Sequence, residues 1–261
     1  GFIITDAPGH GIFGPNAQNI SISYSTLSGS LDHQIHLEYN TEPGTAIFDH
    51  LTITDGDLNA IFIDSESTSM VAILKNSTIQ DNSASFIEAT FTGDANFTMT
   101  NNTIDNNSSS LLTFNGPGTV LISDNTFTNN ARPEVGPVSM NAGTHSFSAT
   151  IERNIIDQSA SGAIRFGLTN TNSADLTVSH NTITNNAIGA AGSSLGSAIV
   201  LNPNGSTNTN ARLVLQNNVI TDNGSNALHS TNGDFNTLSI TATNNEITNN
   251  GGSGFSFDSS I

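Results

Sequence analysis

A short apolar-centred segment recurs along the whole chain, and this repetition constrains the fold more than any other feature. The centres return every 23 to 37 residues or so, and later copies read almost alike, as in NNTIDNN at 101–107, HNTITNN at 180–186 and NNEITNN at 244–250. A period in this range is typical of arrays in which each unit buries its apolar face only by stacking on neighbours. The centres are Leu27, Ile53, Ile79, Ile104, Phe127, Ile156, Ile183, Ile220 and Ile247, with a truncated copy at Ile4.

Two apolar columns precede each centre, and a further strand-like segment follows it. Five residues upstream stand Ile22, Phe48, Leu74, Met99, Ile122, Ile151, Val178, Leu215 and Ala242. Seven residues upstream stand Ile20, Ala46, Ala72, Phe97, Val120, Ala149, Leu176, Leu213 and Ile240. This alternation predicts a strand with one buried face. The segment after the centre, such as QIHL at 34–37 or AIFI at 60–63, predicts a third strand in each repeat.

These repeats predict one architecture. Successive copies of a strand are separated by a whole repeat, so they must pair in parallel, and such crossovers are right-handed by default. We therefore predict an all-β fold, a right-handed parallel β-helix (a solenoid) of about ten coils with three short strands each and no substantial α-helix. We expect residues 1–261 to form a single domain and, because the first residue falls in mid-coil, to be a fragment of a longer protein.

Asparagine recurs at fixed offsets from the centres. It tolerates the left-handed backbone of a sharp turn, and stacked amides can bond from one coil to the next. We therefore predict two structural ladders, one on each side of the centre. The ladder two residues before the centre comprises Asn102, Asn125, Asn154, Asn181, Asn218 and Asn245. The ladder three residues after it comprises Asn82, Asn107, Asn130, Asn186, Asn223 and Asn250.

The composition of the chain restricts the kinds of partner that it is expected to bind. The formal net charge is −17 with only five Lys and Arg residues, which disfavours nucleic acid and anionic membrane surfaces. We expect no membrane insertion, because no apolar run of about 18 residues is present. The low charge content and the abundance of small polar residues indicate an exported protein, extracellular or at the cell surface, and of bacterial origin.

Outward positions of the third strand supply the candidate site. His36, Phe62 and Glu88 share one predicted column, and Glu38 and Asp64 lie two residues further along the same strands. Stacked carboxylates repel one another and favour a bound cation. Three interpretations stay open: a solvated polar face, a calcium site, or a carboxylate pair for general acid–base hydrolysis. The catalytic candidates are His36, Glu38, Asp64 and Glu88, and the calcium candidates are Glu38, Asp64 and Glu88.

A second acidic segment, TDGDLN at 54–59, contains Asp55, Asp57 and Asn59. It is similar to a loose calcium loop but lacks the spaced glutamate of an EF-hand, so a turn-forming role is the favoured interpretation. We expect no cofactor other than Ca²⁺.

The remaining signals are weaker. Five histidines look scattered, and exposed or turn positions explain them better than a metal triad does. They are His33, His50, His145, His180 and His229. Paired threonines flank several centres and resemble the surface of β-solenoid ice-binding proteins, although Gln80, Asp105, Ile155 and Asp157 interrupt the rank.

The coil-building residues carry a family resemblance. The repeats resemble the pectate-lyase-like β-helix superfamily and, more closely, the FxxN and GGAI repeats of polymorphic outer-membrane proteins and autotransporter passengers. Phe127-Thr128-Asn129-Asn130 matches FxxN, and Ser161-Gly162-Ala163-Ile164 approximates GGAI. Galacturonan hydrolases of this fold carry a Gly-His-Gly segment, which Gly9-His10-Gly11 resembles, but their Asp pair and Arg-x-Lys are absent here.

These observations favour a non-catalytic segment of an exported bacterial surface protein, such as an adhesin, passenger or stalk. The expected partners are a glycan or a host-cell receptor, together with other copies stacked end to end through open coil edges. The alternative is a carbohydrate-active or carbohydrate-binding β-helix with a cleft walled by loops near 132–137 and 187–210. Ice binding is the third hypothesis.

Overall fold

The computed structural model describes residues 1–40, 42–108, 110–130, 136–169, 171, 173–187, 196–203, 209–231 and 235–258. These residues form 29 strands in three parallel sheets that wind into a right-handed β-helix, and they include no α-helix. The predicted fold class is therefore confirmed. No helix in these ranges is long and apolar enough to cross a membrane.

Sheet 1 carries the repeat centres in three-residue strands. Its order is β1 (Ile3–Thr5), β4 (Thr26–Ser28), β7 (Thr52–Thr54), β10 (Thr78–Gln80), β13 (Thr103–Asp105), β16 (Thr126–Thr128), β19 (Ile155–Asp157), β22 (Thr182–Thr184), β25 (Val219–Thr221) and β28 (Glu246–Thr248).

Sheet 2 contains the strands that follow the centres. Its order is β2 (Ile12–Gly14), β5 (Ile35–Tyr39), β8 (Ile61–Ser65), β11 (Ile87–Phe91), β14 (Ser110–Phe114), β17 (Val138–Ala142), β20 (Ile164–Leu168), β23 (Ile199–Asn202), β26 (Leu228–Ser230) and β29 (Phe255–Phe257).

Sheet 3 contains the longer strands that precede the centres. Its order is β3 (Asn19–Ser23), β6 (Gly44–Asp49), β9 (Ser69–Lys75), β12 (Asp94–Thr100), β15 (Gly118–Ser123), β18 (Ser146–Glu152), β21 (Ser173–Ser179), β24 (Thr209–Gln216) and β27 (Phe235–Thr243).

The core is a set of stacked apolar columns inside the coil. In sheet 3, Met99 pairs with Leu74 on one side and Ile122 on the other, and all three are at most 3% exposed. Alternate residues of each strand point inward, because successive side chains of a strand lie on opposite faces. The column ends where the stack ends, since Ala242 in β27 is exposed while its partner Leu215 is buried.

Two left-handed corners limit each strand of sheet 1 to three residues. The residue three before the centre has φ between 51° and 59° in every coil from Tyr24 to Asn244. The residue two after the centre is equally left-handed, as at Asp55, Asn106 and Asn185. After glycine, Asn and Asp adopt this backbone at least cost, which explains the polar clusters around each centre.

Both predicted asparagine ladders are present, and each lies just inside one of these corners. Asn125 is 1% exposed; its amide nitrogen donates to Met99 O, Ser123 O and Asn154 Oδ1 at 3.0, 2.9 and 3.0 Å. Its Oδ1 accepts from the backbone and side chain of Asn102 at 2.9 and 2.8 Å. The same pattern runs on to Asn245, and the second ladder joins Asn82 to Asn107 and Asn186 to Asn250 by way of Asn223.

The second ladder lacks an asparagine in the coil of β7, where a glutamine from the preceding coil makes the equivalent hydrogen bond. Gly56 occupies the ladder position in the coil of β7, and Gln34 from the preceding coil fills the space beside it. The Gln34 amide donates to Thr54 O at 2.9 Å, as Asn82 donates to Gln80 O in the next coil, and Gln34 is fully buried. The buried side chain of Gln34 fixes the backbone next to His33, whose own side chain faces outward.

Candidate functional site

Five rings gather on the outward side of sheet 2 in the first three coils. We call this set, His10, Phe13, His33, His36 and Phe62, the histidine–aromatic patch. His10 and His33 stand two residues before the paired residues Ile12 and Ile35, so they occupy equivalent corners of adjacent coils. Their rings stack with centroids 5.6 Å apart and planes 2° apart.

The other three rings form a column on the sheet itself. Phe13 pairs with His36, and His36 pairs with Phe62, on the neighbouring strands β2, β5 and β8. The His36 ring lies edge-on to both phenylalanines, at centroid distances of 5.1 and 4.9 Å. Phe62 also stacks on His33 at 4.7 Å, so the corner pair and the column form one continuous surface of rings.

The imidazoles contact one another directly. His36 Nδ1 lies 3.3 Å from His10 Nε2, and which nitrogen donates the hydrogen bond depends on the tautomers. The Nδ1 atoms of His10 and His33 are buried and have no hydrogen-bond partner in the described part of the chain. The patch therefore keeps unused hydrogen-bonding capacity within a largely aromatic surface.

Carboxylates border the rings. Asp32 Oδ1 lies 3.4 Å from His10 Nδ1 and 3.7 Å from His33 Nε2. Glu38 Oε1 lies 3.5 Å from His36 Nε2. These carboxylates are about 40% exposed, whereas His33 and His36 are about 15% exposed, so the acids form a rim around a less accessible centre.

Burial keeps two of the imidazoles neutral. The pKa of His33 is lowered from 6.5, first by desolvation and then by His36 and His10, against the opposing effect of Asp32. The pKa of His36 is lowered in the same way, with Glu38, Asp32 and Asp64 opposing desolvation and the repulsion from His10. Both rings are therefore uncharged at neutral pH.

The site residues predicted from the sequence lie at aligned positions on neighbouring strands of sheet 2, as the repeat predicts. Glu38 pairs in register with Asp64, and Phe62 lies between His36 and Glu88 in one outward column. Glu88 is held by Asn59, whose amide donates to Glu88 Oε2 at 3.0 Å. His36 thus belongs to the patch and Glu38 to its acidic rim, which Asp64 and Glu88 extend along the sheet.

The candidate calcium ligands do not converge on one point in the part of the chain that the structure describes. Among the residues that the structure describes, no three His, Asp or Glu side chains are grouped so as to hold a metal ion. Asp55 occupies a left-handed corner, and Asp57 donates its backbone N–H to Ser30 O at 3.1 Å. Asn59, by contrast, is buried and accepts a hydrogen bond from Ser85 N, so it does not join the two aspartates. Calcium binding at Glu38, Asp64, Glu88, Asp55 or Asp57 stays a prediction.

Two sequence interpretations were wrong. His33 is not an isolated turn residue, because the winding of the chain brings it onto His10 and His36. His229 is not exposed; only 4% of it is accessible, and its Nε2 lies 3.5 Å from Asp258 Oδ2. His10 and His33 both lie six residues after their repeat centres, Ile4 and Leu27, so extending the column count to this corner would have placed His10 above His33.

The aromatic residues of the first coils differ in burial. Tyr39 ends β5 facing inward; it is 1% exposed and its hydroxyl donates to Thr45 O at 3.1 Å. Burial raises the pKa of Tyr39 accordingly. Phe13 and Tyr24, by contrast, are 50% and 68% exposed, and Phe13 belongs to the patch.

Other surface features lie away from the patch. A groove of about 340 Å³ on sheet 3 is lined by residues such as Asn96, Thr119 and Asp175, and none of the predicted site residues lines it.

Five threonines do align on sheet 1, namely Thr26, Thr52, Thr78, Thr103 and Thr126. The second row, two residues further along the same strands, is interrupted by Gln80 and Asp105, so ice binding stays a prediction. Most of the loops predicted to wall a cleft, at 131–135, 188–195 and 204–208, lie outside the described residues.

Comparison with known proteins places the fold in a family. The family described as right-handed β-helix region matches residues 1–148 and 35–239, so the chain belongs to this family. No curated protein matches the sequence. A solved structure, the A-module of mannuronan C-5 epimerase AlgE6 from Azotobacter vinelandii, is similar over 94% of this chain and 79% of its own, with 11% identity and a TM-score of 0.34. At that similarity nothing follows about the chemistry of this chain.

Proposed function

We propose that this chain is a non-catalytic β-helical segment of an exported bacterial surface protein, and that it binds a glycan through the histidine–aromatic patch. The observation that carries the proposal is the convergence of five rings and a rim of carboxylates on one outward face. Sugars bind proteins through aromatic faces that cover their C–H groups and polar side chains that bond their hydroxyls.

The rest of the molecule supports a display role. Interior ladders and stacked columns make a rod in which each coil is held by its neighbours. The small-residue composition and the FxxN-like segment at Phe127 support export and surface display as a passenger or stalk. The acidic surface supports a partner other than nucleic acid or an anionic membrane.

End-to-end association of copies is part of the same proposal. The first coil exposes Ile3 by 76% and Phe2 by 43%, and the last strand exposes Phe257 by 52%. Open strand edges with apolar side chains favour pairing with another edge. Sedimentation over a concentration series is expected to show association that Ile3→Lys reduces; a concentration-independent monomer would remove this part of the proposal.

Binding to an immobilised glycan panel, followed by calorimetry, tests the main proposal. Phe62→Ala removes the ring at the centre of the patch and is expected to reduce affinity at least tenfold. The matched control is Tyr24→Asn, which removes an exposed ring from a corner outside the patch and inserts a residue that suits its φ of 51°. Equal affinity for both variants, or no binding to any glycan, would refute the proposal.

A second candidate is acid–base catalysis on a carbohydrate. It is favoured by one observation: a neutral His36 whose Nε2 lies 3.5 Å from Glu38 Oε1, an arrangement that positions an imidazole to take up a proton. Product analysis on uronic and neutral glycans tests it. The display proposal predicts no turnover; turnover that Glu38→Gln and His36→Gln abolish, while Asp222→Asn retains it, would establish the enzyme instead.

A further inference from the structure

We infer that the histidine–aromatic patch selects glycans that carry a positive charge, such as amino sugars, over neutral and anionic ones. This inference rests on the proposed glycan-binding function and specifies its ligand class.

The charges around the rings are all acidic. Asp32 and Glu38 contact the imidazoles, Asp64 pairs in register with Glu38, and Glu88 follows Phe62 in its column. Each strand step along the sheet is about 4.8 Å, so a sugar lying over Phe62 has several carboxylates within reach. A cation in this position is attracted from more than one side.

Basic side chains do not neutralise this rim in the described part of the chain. Lys75 pairs with Asp49, Arg153 with Asp124 and Arg212 with Asp175, all on other faces. Arg165 is on sheet 2 but on β20, three strands beyond β11, which places its backbone about 14 Å from that of Glu88. A uronate or sulfated sugar would therefore meet uncompensated negative charge.

The rings themselves favour a cation. The π-face of a phenylalanine attracts an ammonium group placed within about 6 Å of its centre. Phe13 is half exposed, and Phe62 is partly exposed beside Glu88. A ring face next to a carboxylate offers an ammonium group both attractions at one point.

Neutral imidazoles are required for this selectivity. Because desolvation lowers the pKa of His33 and His36, the centre of the patch has little positive charge of its own at pH 7.5. Acidification below pH 6.5 protonates His33 and His36, whose pKa values are lowered from 6.5 by desolvation, and so adds positive charge at the centre of the patch. Cation binding is therefore expected to weaken between pH 7.5 and 5.5.

Calorimetry with three oligosaccharides of equal length tests the inference at pH 7.5 and low salt. The probes are N,N,N-trimethylated glucosamine oligomers, N-acetylglucosamine oligomers and galacturonate oligomers. The trimethylated probe keeps its charge at every pH, so any pH effect on its binding reports the protein. We expect it to bind with one-to-one stoichiometry and at least tenfold tighter than the acetylated probe, and we expect no binding of the galacturonate probe.

Variants separate a specific site from general attraction to an acidic protein. Glu88→Gln with Asp64→Asn is expected to reduce the preference for the trimethylated probe at least threefold. Asp222→Asn removes an exposed acid at a distant corner and is expected to leave the preference unchanged. Equal losses in both proteins would mean diffuse attraction and would overturn the inference.

The outcomes also separate this inference from the function on which it rests. Neutral and cationic probes that bind equally well would overturn the charge selectivity and leave glycan binding intact. No binding of any probe or panel glycan would refute glycan binding itself. At pH 5.5 the trimethylated probe is expected to bind at least threefold more weakly, and His33→Asn is expected to reduce that difference; unchanged affinity would contradict the role of the imidazoles.

Discussion

The first three coils and the later coils of the rod differ in their ladder residues and in their outer surface. From Asn102 to Asn245 the ladder before the centre is unbroken, and the outer surface of these coils gathers no comparable cluster of rings among the described residues. In the coils of β4, β7 and β10 the same position is held by Ser25, Leu51 and Ser77, and in the coil of β7 the second ladder depends on Gln34 beside Gly56.

The irregular region is the one that carries the patch. Local rules of a fold are commonly broken at functional sites, where sequence is constrained by something other than stability. The later coils carry buried asparagines of both ladders, whereas the first coils place three imidazoles and two phenylalanines together on an outward face. This difference supports our proposal that the first coils bind a ligand and the later coils hold them in place.

The largest expected effect comes from breaking the regular ladder. Asn102→Ala removes donors to Leu74 O and Thr100 O and the acceptor for Ser77 N, all within a buried corner. Each unsatisfied buried group costs about 1–3 kcal/mol, so we expect the free energy of unfolding to fall by about 4 kcal/mol in urea titrations.

The adjacent residue provides the control. Asn101→Gly alters an exposed amide and keeps a backbone whose φ is 56°, so a change below about 1 kcal/mol is expected. Similar losses for Asn101 and Asn102 would contradict the distinction between an interior ladder and an exterior corner.

A smaller effect is expected where the ladder is repaired. Gln34→Ala leaves Thr54 O and Ser30 Oγ without their partner and should cost about 2 kcal/mol. Adding Gly56→Asn should recover most of that loss, because the new side chain enters the space that Gln34 vacates. Gly56→Asn alone should destabilise, since its Cβ would lie 2.8 Å from Asn82 Oδ1 and 3.1 Å from both Cγ and Nε2 of Gln34. Additive losses in the double variant would contradict the substitution of Gln34 for a ladder asparagine.

The pH dependence of stability should originate in the first coils. His33 and His36 have pKa values below the 6.5 of the unfolded chain, so the unfolded state takes up protons first as the pH falls. Stability should therefore decrease below pH 6.5 and level off once the folded-state pKa is passed. Asp49 and Asp124, whose pKa values are lowered by hydrogen bonds from Asn76 and Arg153 respectively, act only in the separate window below 3.8.

Melting temperatures at pH 7.5, 6.5 and 5.5 check this expectation. His33→Asn should flatten the profile, because asparagine occupies the equivalent corner at position 59 of the next coil. A profile that keeps its slope in this variant would place the titrating groups elsewhere.

The smallest expected effect is on the stability of patch variants. Phe62→Leu keeps an outward apolar side chain and loses only ring contacts, which are worth about 0.5–1.5 kcal/mol. Thermal unfolding should shift little while glycan affinity falls. A large loss of stability would mean that the rings serve the fold and would weaken the contrast between the two regions.

The fold was predictable from sequence because its determinants repeat. Leu74, Met99 and Ile122 occupy one column that can be counted directly, and Asn102 to Asn245 recur at one offset. Glu38, Asp64 and Glu88 were placed by the same count. What repeats in a solenoid is visible because neighbouring coils impose the same geometry on it.

The patch was only partly predictable because two of its residues lie outside the columns that the strands define. His10 belongs to a truncated coil, and His33 stands at a corner outside any strand, so neither occupied a recognised column. Asp32 was missed because its role depends on the direction of a side chain at that corner. The inward direction of Tyr39 and the outward direction of Phe13 likewise depend on where strands β5 and β2 begin and end.

Imidazole NMR of the seven histidines tests the central claim most directly. Spectra are recorded at pH 7.5 with and without the trimethylated glucosamine oligomer. We expect the signals of His10, His33 and His36 to shift on addition, while those of His50, His145, His180 and His229 do not. Binding that leaves the first three signals unchanged, or that moves the other four instead, would contradict it.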